Sequence, residues 1–411
     1  MHHLPNDATL TSVLGKRVAA GWSRGMILAS GARGILANDI EFRRLNLKTK
    51  VVEESAHSVE VFSKTLATRS HYRFSLPMRL RHSHGTTEAE IGMNPKSYDP
   101  LLRREELEFT TSNGEHISVE AVFQDTMPSG SNIGTVVAIH GAPGSYKDFK
   151  YVTPLLQEKG IRLIGVNMPG YGLTPGDPLL RYDNFERNNF IHELIKRVGI
   201  VERLVVLGHS RGTENATGVA ARNVEKLVGL VLLNPTGLTP HRVMHPRWII
   251  PFVLWLYSRG PTAQMILHGI LKFVYNRILG LRLDSGERAV ICLKTMQSLE
   301  FGEGLRPHIN DINRKPNARV LISYSGKDFL IETRVSQELV NTFEDCVELS
   351  CQEKDDSFEE SAIQQTRDLF LNGAKTVSIY FEKDGHFLQR DRARYVANSI
   401  EAILLASSVK D

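Results

Sequence analysis

The stretch RLVVLGHSRG, residues 203–212, holds four apolar residues, Leu204 to Leu207, then Gly-His-Ser-Arg-Gly. It is followed by TENATGVAARNVEKL, text compatible with a helix. A short apolar run bounded by glycine fits a buried strand. Strand, tight turn and helix in that order put Ser210 at the apex of a G-x-S-x-G nucleophile elbow. A serine there has a strained backbone, and the residues two positions to either side must be small. A Cβ on Gly208 or Gly212 is expected to strike the neighbouring strand or helix. The helix begins at the serine, so its free N–H groups and partial positive charge face any oxyanion formed there. The five-residue pattern alone is weak, since chance supplies it in roughly one in seven chains of this length. Its flanks and its partners elsewhere carry the reading.

Outward from this elbow, short apolar strands alternate with amphipathic helices. LEFTTSNGEHISVEAVFQD, from Leu107, predicts two strands about an Asn113-Gly114 turn. Strands follow at 135–139, 161–168, 204–207, in LVGLVLLNPTG from Leu227, in RVLISYSGKD from Arg319, and in TVSIYF from Thr376. The piece before Lys375 is charged and expected to be mostly helical, and the last helix is expected over about 391–405. This alternation predicts a mostly parallel sheet covered by helices on both faces. Ligands in such folds lie beyond the carboxyl ends of the strands. The strand ends after Ile139, Leu207, Tyr324 and Phe381 carry the polar and glycine-rich text.

Of 411 residues, 41% are apolar and 23% charged, and the net charge of +4 is too small to argue for nucleic acid. No zinc-finger or helix-turn-helix pattern appears. Three cysteines, Cys292, Cys346 and Cys351, form no C-x-x-C. They fit an intracellular, reducing location, with the cytoplasm the first expectation. Residues 1–36 are basic and acid-poor, with Leu10, Val13, Leu14, Val18 and Trp22 near helical spacing. They read either as a loose tail or as a mitochondrial-type targeting segment. Residues 37–105 are an extension without evident chemistry. Its His82 and His84 lack a third metal ligand and are read as a solvated loop. The acidic stretch from Glu344 to Glu360 is read as a solvated helix face.

Ser210 needs a base, because a free hydroxyl is a poor nucleophile at neutral pH. His386, in FEKDGHFLQ after the last strand, stands on the expected rim. His140 and His209 are close to the site but are expected to brace its loops. His241, His245, His268 and His308 fall in a long insertion. The imidazole in turn needs a carboxylate. Asp328 follows the neighbouring strand, whereas Asp384 shares a short loop with the histidine. Asn234, after the preceding strand, is an amide that cannot do the same work. The oxyanion donors are expected to be the backbone N–H groups of Arg211 and of Ala142, in the HGAPGS loop where Gly141 also shapes the site. No metal or cofactor is called for: H-E-x-x-H, G-x-x-x-x-G-K-[ST] and G-x-G-x-x-G are all absent.

HGAPGS (140–145), NMPGYGLT (167–174), GHSRG (208–212), SGKDF (325–329) and DGHFLQ (384–389) resemble the α/β-hydrolase fold superfamily, serine-nucleophile branch. GHSRGTENA further resembles a group known mainly from nematodes. The resemblance implies a core in two parts, 106–236 and 314–411, with a helical lid at 237–313 between the sixth and seventh strands. It also implies the triad Ser210, Asp328 and His386. A serine at position 210 argues against epoxide hydrolase or haloalkane dehalogenase chemistry, which the superfamily runs through an aspartate ester. The chain departs from the usual text at Arg211-Gly212-Thr213-Glu214 and at Asn167. Arg211 is expected to pair with Glu214, with contact to a substrate acid as the alternative.

The insertion text WIIPFVLWLYSRGPTAQMILHGILKFVYNRILGL is strongly apolar, yet its run is too short to span a bilayer. It tilts the expectation towards a small apolar ester substrate, with peripheral membrane contact a further reading. An acyl-enzyme hydrolase is the function expected. An amidase or thioesterase with the same triad, and an inactive binding module on this fold, are the alternatives.

Overall fold

A computed structural model describes residues 99–408. The expectations for the 1–36 segment, for His82 and His84, and for the extension up to residue 98 lie outside the described residues. Among the described residues nine strands form one sheet in the order β1-β2-β4-β3-β5-β6-β7-β9-β8. They are β1 (Leu102–Thr110), β2 (His116–Asp125), β3 (Thr135–Ile139), β4 (Arg162–Gly165), β5 (Leu204–His209), β6 (Leu227–Leu233), β7 (Arg319–Ser325), β8 (Cys346–Cys351) and β9 (Thr376–Phe381). The hairpin β1–β2 turns at Gly114, whose φ of +85° suits glycine, and pairs Thr110 with His116. From β4 to β8 every pairing is parallel.

Along β5, Leu204 and Val206 enter one core and Val205 and Leu207 the other, all four fully buried. A strand covered on both faces has no polar side to show, hence its unbroken apolar text. One face is covered by α1 (Val152–Glu158), α9 (Asp356–Leu371) and α11 (Ala393–Ala406), through residues such as Leu156, Phe370 and Ile400. The other is covered by α2 (Asn184–Arg197), α3 (Gly212–Arg222) and the helices of the insertion, through residues such as Phe190, Val219 and Ile291. A reciprocal cap starts α2. Asp183 accepts from Glu186 N at 3.1 Å, and the Glu186 carboxylate accepts from Tyr182 N at 2.7 Å.

The insertion between β6 and β7 is helical: α4 (Ile249–Tyr257), α5 (Pro261–Phe273), α6 (Gly286–Gln297) and α7 (Phe301–Asn313). The core strand β1 begins at Leu102, within the segment assigned by sequence to the extension. The charged piece before Lys375 is mostly helical as expected, but the solvated helix face read at Glu344 to Glu360 is in part a strand. Between α8 (Thr333–Val340) and α9 it contributes the edge strand β8, with Cys346 and Cys351 at its two ends. Val347, Glu348 and Ser350 are exposed there. A charged edge strand discourages pairing with another chain, and it offers no apolar run by which to be recognised. The short helix α10 (Leu388–Asp391) leads into α11.

Candidate active site

Ser210 sits between β5 and α3 with φ of +53°, a region that L-residues occupy only under strain. The conformation is pinned on both sides. Ser210 N–H donates to Leu233 O at 2.9 Å, and Ser210 O accepts from Thr213 N at 2.9 Å and from Thr213 Oγ1 at 2.6 Å. A Cβ on Gly212 would lie 2.4 Å from Ile139 O, and one on Gly208 2.7 Å from Ala216 Cβ. Both glycines are therefore needed for close approach, to the end of β3 and to α3 respectively.

The end of β9 brings His386 to the serine, and the end of β7 brings Asp328 to the histidine. His386 Nε2 lies 2.9 Å from Ser210 Oγ, and His386 Nδ1 lies 2.7 Å from Asp328 Oδ2. Both side chains are 3% exposed, whereas Ser210 is partly accessible. Asp328 Oδ1 accepts from the N–H groups of Leu330 and Ile331 at 2.8 and 3.0 Å. Burial pushes the Asp328 carboxyl up, but His386 and these amides outweigh it and hold it below the ordinary range. Phe329 and Phe387 flank the imidazole, with ring centroids at 6.1 and 5.3 Å.

Three side chains hold the His386 loop from behind. His209 Nε2 donates to His386 O at 2.8 Å, and its Nδ1 accepts from Gln389 Nε2 at 3.3 Å. Burial, with the neighbouring His386, lowers the His209 pKa to about 3 and so keeps it neutral. Asn234 Nδ2 donates to His386 O at 2.8 Å and to Gly385 O at 3.3 Å. Sequence reasoning noticed Asn234 only as the wrong residue for an acid. Its role as a brace had no signal beyond its place at the end of β6. Asp384 is turned away, bonded to Arg392 Nε at 3.0 Å and Nη2 at 2.9 Å.

The loop after β3 closes on the serine from the opposite side. A Cβ on Gly141 would stand 3.1 Å from Ser210 Cβ. His140 braces this loop: Nδ1–H donates to Gly141 O at 2.6 Å, and Nε2 accepts from Met168 N at 3.1 Å. Burial lowers its pKa to about 3. Among the described residues, neither Ala142 N–H nor Arg211 N–H donates to a protein acceptor. Asn167 Oδ1 accepts from Tyr146 N at 3.1 Å, and Nδ2 donates to Val122 O at 2.7 Å. That use of both ends suits an amide better than an acid.

Arg211 is buried with Glu214, and their side chains meet at 3.3 Å. Arg211 also donates to Asn184 Oδ1 at 2.6 Å, to Asn215 Oδ1 at 3.2 Å and to Thr295 O at 3.0 Å, the last in helix α6 of the insertion. Glu214 Oε1 accepts from the N–H groups of Glu300 and Phe301 at 2.8 and 3.1 Å. The elbow is thereby bolted to the insertion. Of the four insertion histidines, His241 is buried with neither ring nitrogen partnered among the described residues. Burial lowers its pKa to about 4. A groove of about 580 Å³ beside the insertion, lined by residues including Leu238, Ile250, Leu299 and Phe301, includes none of Ser210, Asp328 or His386. Among the described residues no group of three or more His, Cys, Asp or Glu side chains is set to hold a metal ion.

A mostly parallel sheet with a turn serine after β5, a histidine after β9 and an acid after β7, all on one rim, defines an α/β hydrolase. The chain belongs to the family described as "Alpha/beta hydrolase of unknown function (DUF1057)", which matches residues 99–405. It is 35% identical over 305 residues to an uncharacterized protein of Caenorhabditis elegans, covering 72% of this chain and 85% of that one. A serine hydrolase-like protein of Dictyostelium discoideum is 25% identical over 134 residues, 31% of this chain and 37% of the other. Relatives therefore extend beyond nematodes, and the wider superfamily, rather than a nematode group, is what these matches define. Among solved structures, a haloalkane dehalogenase from Bradyrhizobium elkani matches with a TM-score of 0.50 at 18% identity, covering 74% of this chain and 98% of that one. An esterase from Thermogutta terrifontis matches with a TM-score of 0.50 at 15% identity, covering 72% and 96%. At these identities the likeness is one of fold.

Proposed function

We propose that the chain is a serine hydrolase that cleaves a small, apolar ester through an acyl-enzyme. The observation that carries this reading is the unbroken series Ser210 Oγ–His386 Nε2 at 2.9 Å and His386 Nδ1–Asp328 Oδ2 at 2.7 Å. The same fold serves the esterase and the dehalogenase named above, so the choice of chemistry falls to the residue at the elbow. A hydroxyl beside an imidazole suits acyl transfer.

Ser210 Oγ attacks the ester carbonyl carbon while its proton passes to His386 Nε2. Nδ1–H stays bonded to Asp328, which stabilises the imidazolium. The carbonyl oxygen takes up the negative charge against the free N–H groups of Ala142 and Arg211, where a lost donor typically costs about 3 kcal/mol of barrier. The C–O bond to the leaving group breaks, and His386 returns the proton to the departing alcohol. Water then repeats the sequence on the acyl carbon, giving the acid and free Ser210. Phe329 and Phe387 beside the imidazole support an apolar substrate.

The test is labelling with a fluorophosphonate probe, beside Ser210→Ala and His386→Ala, followed by p-nitrophenyl esters of graded acyl length. Labelling of the wild type alone is expected, with hydrolysis lost in both variants. A folded wild type that takes up no probe after brief detergent treatment overturns the reading.

A further inference from the structure

Between Glu225 and Asp284 the sequence contains no acidic residue, while Arg242, Arg247, Arg259, Lys272, Arg277 and Arg282 all fall there. This acid-free stretch carries α4 and α5. Along α4 and its two flanks, Trp248, Phe252, Trp255 and Arg259 recur at the spacing of one helical face. The three aromatics are 63%, 49% and 52% exposed. They form a ladder in the open: Trp248 edge-on to Phe252 at 5.9 Å, Phe252 stacked on Trp255 at 5.8 Å, and the Arg259 guanidinium 4.6 Å above Trp255. The opposite side of α4, with Val253, Leu254 and Leu256, packs on the core. On α5, Leu267 and Leu271 are buried while Met265, Ile266, Ile270 and Phe273 are exposed. Tyr257 Oη and His268 Nε2, 3.1 Å apart, tie the two helices together.

Packing of the insertion onto the core accounts for the inner faces of these helices and leaves the outer ones unexplained. Apolar area exposed on this scale marks an interaction site. Among the described residues, Arg247, Arg259, Lys272 and Arg277 make no ion pair. We infer that the outer face of α4 and α5 docks on an anionic lipid surface, its aromatics entering the headgroup–acyl boundary and its cations meeting lipid phosphates. Trp and Arg at the boundary, apolar residues below them and no acid within either helix are the marks of an interfacial helix. A second copy of the chain is a poorer occupant, because a two-fold contact sets the same patch against itself and faces cations with cations. The helices have 9 and 13 residues. They lie on a bilayer, since crossing one takes about 20 residues.

The inference goes beyond the proposed hydrolysis and is tested apart from it, with full-length Ser210→Ala chain in a vesicle flotation assay. Vesicles are phosphatidylcholine alone, or phosphatidylcholine with phosphatidylserine. Binding to the anionic vesicles is expected, weakened at least about tenfold by raised salt or by omitting phosphatidylserine. Two of the three tryptophans of the chain lie in this patch, so docking is also expected to shift their emission to the blue. The added triple substitution Trp248→Ala/Phe252→Ala/Trp255→Ala removes exposed groups and is expected to abolish flotation while leaving the melting temperature near that of the parent. Should that variant fail to fold, Lys272→Glu/Arg277→Glu supplies the same test through charge. The inference is overturned if neither vesicle binds, if both variants float like the parent, or if light scattering shows a dimer that the triple variant abolishes.

Discussion

Asn234 Nδ2 donates to the backbone carbonyl of His386 at 2.8 Å, and the same carbonyl accepts from His209 Nε2 at 2.8 Å. Two donors on one oxygen fix the loop that carries the imidazole, so its approach to Ser210 does not depend on the Asp328 bond alone. Asn234 also has φ of +45°, a conformation that asparagine tolerates better than most residues.

Asn234→Ala is therefore expected to lower kcat/KM by about 10²-fold through misplacement of the imidazole. Fluorophosphonate labelling should slow to a similar degree, while the fold survives. Asn234→Asp puts a second acceptor against the His386 and Gly385 carbonyls and is expected to be worse than alanine. For the same reason Asn234→Asp should not rescue Asp328→Asn, since the side chain at 234 faces the carbonyl and not the ring. Rescue of labelling in that double variant would refute this placement.

The legibility of the chain follows from these contacts. The grouping of Ser210, His386 and Asp328 was legible because each follows the end of an apolar strand, and strand ends are where sheet topology concentrates chemistry. Asn234 stands at such an end too, yet nothing in Asn-Pro tells a brace from a turn. Arg211 was open between two roles, and burial beside Glu214 is what decided for the ion pair. Strand β8 was missed because its exposed Glu348 breaks the apolar run that marks interior strands such as β5 and β6. The features least legible were those set by tertiary contact, such as the link from Arg211 to Thr295 across 84 residues.

Asp328 and Asp384 should separate cleanly. Asp328→Asn leaves the imidazole without its anion and favours the wrong tautomer, so kcat is expected to fall by about 10³- to 10⁴-fold with little change in melting temperature. Asp384 carries no such bond but neutralises Arg392 in a pair whose two side chains are each 2% exposed. Asp384→Asn is expected to cost about 3 kcal/mol of stability, with a modest effect on kcat. Urea unfolding and initial rates on a p-nitrophenyl ester read the two effects. The reverse pattern would make Asp384 the acid.

His209 gives a pH signature. Its folded pKa of about 3 lies below the ordinary 6.5, so between those values the unfolded chain binds the extra proton. The contribution of His209 to stability is fully present above pH 6.5 and is lost as pH falls towards 3, at about 1.4 kcal/mol per pH unit. Other buried groups also titrate in this range. Asp148, raised to about 7 by burial, has the opposite sign, so the whole-protein slope is a mixture. The difference between wild type and His209→Gln isolates one group. The advantage of the wild type is expected to be largest near pH 7 and to shrink below pH 6.5. A difference that stays constant from pH 7 to pH 5 would show that His209 is not held neutral.

Arg211 joins the elbow to the insertion, and its loss should be felt at both. The Arg211 and Glu214 side chains are 1% and 3% exposed. Burial lowers the arginine pKa and raises the glutamate pKa, so each charge depends on the other. Arg211→Met strands the Glu214 carboxylate and removes one of two side-chain donors from each of Asn184 Oδ1 and Thr295 O, which keep Asn215 Nδ2 and Ser298 Oγ. A cost of about 3–5 kcal/mol is expected. Glu214→Gln keeps an oxygen for the Glu300 and Phe301 N–H groups and should cost less. Arg211→Met/Glu214→Gln should in turn be more stable than Arg211→Met alone, because no unpaired carboxylate is left behind. Unfolding in urea measures all three. The Arg211 side chain also holds the residue whose N–H is the proposed oxyanion donor, so the labelling rate of the double variant is expected to stay low while its stability partly recovers. Full recovery of both would mean that the arginine serves the ion pair and nothing at Ser210.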